Sequence, residues 1–162
     1  MHQETPTYRA DGLTMRSQLF FEPAAAPRAG APVFPEAFGL GAHAISRAER
    51  LAALGYVALA CDLQQAIGML EPLFADPARI AATGFCFGGT MALELARSGA
   101  ELKAVVGFHS GLATRAPRTE AGTIKARILV CIGADDPMIP LGQRAGFEAE
   151  MREAGVDWQM HA

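Results

Sequence analysis

Of the 3 cysteines, 4 histidines and 17 carboxylates in this chain, Cys86 has the surroundings best suited to covalent chemistry. It lies in Gly84-Phe85-Cys86-Phe87-Gly88-Gly89, after an apolar run Ile80–Thr83 and before a helical stretch that includes Met91–Ala96. This is the spacing of a nucleophile elbow with cysteine in the serine place. A nucleophile on a tight strand-to-helix turn has a strained backbone, and side chains two residues to either side would collide with neighbouring elements, so glycine is needed there. The helix N-terminus puts positive partial charge near the sulfur and favours the thiolate. The Phe87 amide would point to the same space, where an oxyanion could form. Cys61 and Cys131 fall inside apolar runs and read as small core hydrophobes.

A second group follows the late apolar run Ile128–Ile132: Gly133-Ala134-Asp135-Asp136-Pro137. A carboxylate on a loop stiffened by proline suits the acid that orients a catalytic histidine, and Asp136 is the preferred one of the pair. His109 follows the run Ala104–Phe108, so it belongs on the same edge of a sheet, where it reads mainly as a pocket-lining residue. His43, near a helix start, and His2 read as structural or exposed. None of the four histidines has metal-ligand spacing to a second His or Cys.

These residues need elements to hold them. Short apolar runs (Tyr56–Ala60, Ile80–Thr83, Ala104–Phe108, Ile128–Ile132) alternate with helical patterns at His43–Leu54, Gln64–Phe74, Met91–Ala96 and Leu141–Ala154; Val156–His161 alternates like a last strand. Gly55, Gly99 and Gly155 mark helix ends. Tyr8–Phe21 carries two short runs around Asp11-Gly12, a hairpin signal. Glu22–Pro32, rich in Ala and Pro, reads as a connecting loop. The pattern implies a single α/β domain over residues 1–162, with a mostly parallel sheet, helices on both faces and an N-terminal antiparallel hairpin. Ligands of such sheets gather at the carboxyl ends of the strands, which is where Cys86, His109 and Asp136 lie.

Composition narrows the function. With 51% hydrophobic and 19% charged positions among 162 residues, a sizeable core can be buried. Lys plus Arg number 14 against 17 Asp plus Glu, a net charge of −3, which provides neither a basic stripe for nucleic acid nor a polybasic membrane segment. The longest stretch free of charged side chains, Ile80–Leu93, is 14 residues and is broken by glycines, below the roughly 18 that suggest a spanning helix. Met1–Gly12 has no apolar signal region, and three cysteines make no disulfide framework. A cytoplasmic protein acting on a small molecule is the expectation, with oligomeric state unknown.

The chain resembles the dienelactone hydrolase family of α/β hydrolases. The resemblance rests on Pro35-Glu36-Ala37-Phe38-Gly39-Leu40, the Gly84–Gly89 cysteine elbow and the Asp136 loop. It implies hydrolysis of small esters or lactones without a cofactor or metal, through a Cys86 thioester. It also implies Asp136 as triad acid and the amides of Ala37 and Phe87 as the oxyanion hole, with Phe38 lining the pocket beside His109. Glu36 would interact with the resting cysteine and shift when substrate binds; a carboxylate near a thiol disfavours the thiolate until it is displaced. The family's histidine base would follow the last strand, several residues beyond His161. The stretch between Leu63 and Ile80 is shorter than in the family, leaving out a substrate-binding arginine. Two explanations compete: a fragment or joined segments of a longer protein, which is favoured, and a truly shortened domain.

Two rivals come from other classes. Gly39-Leu40-Gly41-Ala42-His43-Ala44, with Asp62 about 20 residues on, outlines a dinucleotide fingerprint. Four residues, Pro35–Phe38, separate its first glycine from the apolar run that ends at Val33-Phe34, however, and Glu36 would set negative charge beside a pyrophosphate. The other rival is a hydrolase-fold protein that binds without catalysis.

Overall fold

The computed structural model describes all residues except 11–12, 25, 37–38 and 63–74. The helix expected at Gln64–Phe74 and the Asp11-Gly12 turn therefore lie outside the described residues. An eight-stranded sheet runs in the order β1-β4-β6-β5-β7-β8-β9-β10. Its strands are β1 (His2–Glu4), β4 (Gln18–Phe21), β5 (Arg28–Phe34), β6 (Val57–Ala60), β7 (Ala75–Phe85), β8 (Ala104–Phe108), β9 (Arg127–Cys131) and β10 (Trp158–His161). From β6 to β10 every pairing is parallel, while β4 is antiparallel to both β1 and β6. A separate antiparallel hairpin pairs β2 (Thr7–Ala10) with β3 (Leu13–Arg16), Ala10 opposite Leu13.

Helices cover both faces, as continuous apolar strands require. On one face α1 (Ala42–Ala53) lays Ala44, Ala48 and Ala52 against Phe20, Val33, Ala58 and Ala60. Spaced four apart, these alanines form one stripe of the helix, and their small size lets it sit close to the sheet. On the other face α2 (Phe87–Arg97) and α3 (Leu141–Glu153) bury Ala92, Leu93, Ala96, Phe147 and Met151 over Ile80, Ala82, Val105, Ile128 and Val130.

Glu22–Pro32 is not a loop throughout, since β5 begins at Arg28. Flanked on both sides, β5 has its backbone bonded by β6 and β7, and Ala31 to Phe34 are buried. Neighbouring strands override the poor strand propensity of Ala, Gly and Pro here. The Tyr8–Phe21 segment likewise holds more than a hairpin: after β3 the chain turns at Ser17 and continues into the main sheet as β4.

Candidate active site

The elbow is built by close backbone approach. Cys86 is the N-cap of α2 and has φ 54° and ψ −121°, a left-handed backbone that L-residues adopt only under constraint. Its amide donates to the Phe108 carbonyl at 2.8 Å, which carries the β7–β8 ladder one residue further. A Cβ at Gly84 would stand 2.2 Å from the Gly88 carbonyl, and one at Gly88 would stand 2.4 Å from the carbonyl oxygens of Phe34 and Pro35. The turn therefore cannot carry side chains at these two positions, and the end of β5 is packed directly onto the elbow. The Cys86 residue is half-buried and Phe87 is exposed. Burial pushes the Cys61 thiol far up, so it remains protonated and inert.

On the neighbouring strand ends an acid meets an imidazole. The loop Gly133–Ile139 is held by Asp136 N–H to the Gly133 carbonyl (3.2 Å) and by Ile139 N–H to the Asp136 carbonyl (3.2 Å). Arg144 of α3 braces it, donating to the carbonyls of Gly133 (3.0 Å) and Ile139 (3.1 Å). The Asp136 side chain is 6% exposed; one oxygen accepts the Met138 amide at 2.9 Å and the other is in short contact with His109 Nδ1. Desolvation pushes the Asp136 carboxyl up, but the Met138 amide, the His109 hydrogen bond and charge, and Arg144 together outweigh it and hold the carboxyl below its ordinary range. His109 has φ 52° and its amide donates to the Cys131 carbonyl at 2.8 Å. Its imidazole, half exposed, thus faces the acid rather than simply lining a pocket.

Glu36 sits beyond the end of β5 with its carboxylate 3.0 Å from His43 Nδ1. Asp62 takes the Arg16 amide on its carboxylate (2.8 Å) while its own amide donates to Ser17 Oγ (3.1 Å). It ties the end of β6 to the hairpin, which weakens the dinucleotide reading, and Gly41 serves as N-cap of α1. Ala37 and Phe38 lie outside the described residues. Among the described residues no cluster of three His, Cys, Asp or Glu could hold a metal, and no helix is long and apolar enough to cross a membrane.

The model of the Dienelactone hydrolase family matches residues 62–162. A solved structure named m3DLH superposes with TM-score 0.85 at 40% identity, covering 98% of this chain and 80% of that one. The chain belongs to the dienelactone hydrolase family. A dienelactone hydrolase-like promiscuous phosphotriesterase from metagenomic libraries superposes with TM-score 0.84 at 34% identity, over 99% of this chain and 80% of that one. A Methylorubrum extorquens protein provisionally named a carboxymethylenebutenolidase is 28% identical over 177 residues, 81% of this chain. The chain spans 61% of that relative's length. The architecture is the α/β-hydrolase type.

In this dienelactone hydrolase family member the described structure brings Cys86, His109 and Asp136 to adjacent strand ends, and Glu36 to the same edge through the Phe34–Pro35 contact with Gly88. Residue spacing alone gives little weight to the pairing of His109 with Asp136. A signal is nonetheless present: Gly107-Phe108-His109-Ser110-Gly111 repeats the glycine spacing around Cys86.

Proposed function

We propose that this chain carries the catalytic centre of a hydrolase of small carboxylic esters or lactones, contained in one α/β domain, with Cys86 as nucleophile. The observation that carries the reading is the strained Cys86 backbone at the first turn of α2, beside an imidazole held by a buried-edge carboxylate. Strain of this kind persists only where the surroundings enforce it, and here it presents the thiol at the carboxyl end of the sheet.

The chemistry comes from the parts. The thiolate attacks the ester carbonyl, the Phe87 amide and, by family resemblance, the Ala37 amide bind the oxyanion, and collapse of the adduct breaks the ester C–O bond and expels the alkoxide, which takes a proton from solvent. Water then hydrolyses the thioester. Asp136 fixes His109 through Nδ1, which leaves Nε2 as the acceptor that takes the proton from water. His109 is the imidazole that the described residues hold against Asp136, while the resemblance places the family's own base beyond His161. The name of the phosphotriesterase relative makes phosphotriesters the second substrate class to assay, since a soft thiolate could also attack phosphorus.

Rapid mixing with a p-nitrophenyl ester tests the scheme. Wild-type protein should release a stoichiometric burst and then turn over, and Cys86→Ala should show neither. His109→Asn should keep the burst and slow the later phase by about 100- to 10,000-fold, the usual worth of general-base assistance. Turnover retained in Cys86→Ala would exclude the nucleophile, and unchanged turnover in His109→Asn would return the base role to a histidine elsewhere.

A further inference from the structure

The Glu36 carboxylate is one residue along the chain from Pro35, whose carbonyl is packed on Gly88 of the elbow. Negative charge at that place opposes both a thiolate at Cys86 and an oxyanion above it. Something has to hold it away or offset it, and α1 supplies the groups. His43, in the first turn of α1, meets Glu36 Oε1 with Nδ1 at 3.0 Å. Arg47, one turn on, donates from Nε to His43 Nε2 at 3.2 Å. A single tautomer satisfies both contacts: the neutral imidazole, donating from Nδ1 to the carboxylate and accepting at Nε2 from the guanidinium. The three groups form a line from cation to anion. The line rests on Phe85, the residue before Cys86: the His43 ring stands edge-on to Phe85 at 4.6 Å and the Arg47 guanidinium lies 5.7 Å from its centroid.

We propose that His43 is a positioning residue that holds the Glu36 carboxylate off the Cys86 thiol, with Arg47 fixing its tautomer and offsetting the charge. This rests on Cys86 being the nucleophile. The neutral ring gives Glu36 a hydrogen bond without adding a charge of its own, so the carboxylate is parked and can still be displaced. Without that donor the carboxylate is free to turn toward the elbow, and the thiol becomes less reactive.

Two substitutions separate this role from simple packing. His43→Phe keeps a ring against Phe85 and loses the donor. His43→Asn loses the ring and keeps a side-chain N–H near the Nδ1 position. The measurement is the rate of Cys86 alkylation by iodoacetamide at neutral pH, with the modified cysteine identified by peptide mass. His43→Phe should react about threefold slower than wild type, the scale of one lost hydrogen bond, and His43→Asn should react at close to the wild-type rate. In a Glu36→Gln background His43→Phe should have no effect. Any result in which His43→Phe is not slower than His43→Asn, or in which its effect survives Glu36→Gln, overturns the proposal. Alkylation needs no turnover: failure of this pattern with Cys86-dependent ester hydrolysis intact sinks His43 alone, and the converse sinks the hydrolase reading alone.

Discussion

Two neighbouring strands end in the same spacing, Gly84-Phe85-Cys86-Phe87-Gly88 on β7 and Gly107-Phe108-His109-Ser110-Gly111 on β8. The central residues share a left-handed backbone, φ 54° and 52°, and the two phenylalanines before them are paired in register and stacked at 4.9 Å. The two turns lead into different elements. Cys86 passes at once into α2, so its side chain sits at a helix N-terminus. His109 passes into a loop, so its side chain is left to the carboxylate that β9 delivers. The glycines differ too. Those around Cys86 are pressed against backbone, whereas a Cβ at Gly107 or Gly111 would meet side-chain oxygens of Ser110 (2.6 Å) or Thr90 (3.2 Å). The same glycine spacing and positive φ therefore yield a rigid turn at Cys86 and a more adjustable one at His109, according to the element that comes next.

The largest effect is expected at the buried pair that joins the far end of α2 to α3 and to the loop following His109. Arg97, at the end of α2, bonds Glu150 of α3 at 2.7 Å and also the Leu112 carbonyl at 3.1 Å, while Glu150 accepts the Arg118 amide at 2.8 Å. Both side chains are nearly fully buried. Removing one partner of such a pair typically costs about 3–5 kcal/mol; Glu94, which also bonds Arg97, keeps the expected loss for Glu150→Gln near the lower end. Urea unfolding would measure it. Hydrogen exchange should quicken more over residues 112–118 than over α2, because the Arg118 amide of that loop bonds Glu150 directly, whereas α2 reaches Glu150 only through the Arg97 side chain.

A smaller effect sharpens the contrast between the two glycine sets. Gly84→Ala forces a Cβ into backbone at 2.2 Å and should cost roughly 1–3 kcal/mol or more, as overpacking does. Gly111→Ala needs only the Thr90 hydroxyl to give a few tenths of an ångström and should cost under about 1 kcal/mol. Equal losses in denaturant titrations would mean that the two turns are built alike.

The smallest effect is on pH. The native Asp136 carboxyl lies below its ordinary value, so the stability it contributes is present above about pH 4 and is lost as pH falls through the lowered native value. Carbon-13 titration of the Asp136 carboxyl should therefore give a midpoint below about 4, and His109→Asn should raise it. A midpoint that His109→Asn leaves unchanged would show that His109 is not its partner in solution.

Much of this is legible in the residues themselves. The Gly84–Gly89 spacing requires a turn that only glycine flanks permit, and Ile45, Ala48, Leu51 and Ala52 mark a helix face, of which the structure fully buries Ala48 and Ala52 and adds Ala44. Alternating apolar runs and helical patterns imply a parallel sheet with ligands at its carboxyl edge. Although Val33-Phe34 reads as the end of an apolar run, the rest of β5 is not legible, because Arg28–Pro32 has loop-like composition and becomes a strand only where β6 and β7 bond it on both sides. Nor is the Arg97–Glu150 pair, whose members are 53 residues apart and resemble any surface charges until α2 and α3 close over them. The partner choices at the site belong to the same kind. The sequence supplies Glu36, His43, His109 and Asp136 as polar groups near strand ends and helix starts. Which carboxylate each imidazole meets depends on strand order and on the left-handed turn at His109, because a hydrogen bond is decided over tenths of an ångström and local residue pattern carries no such distance.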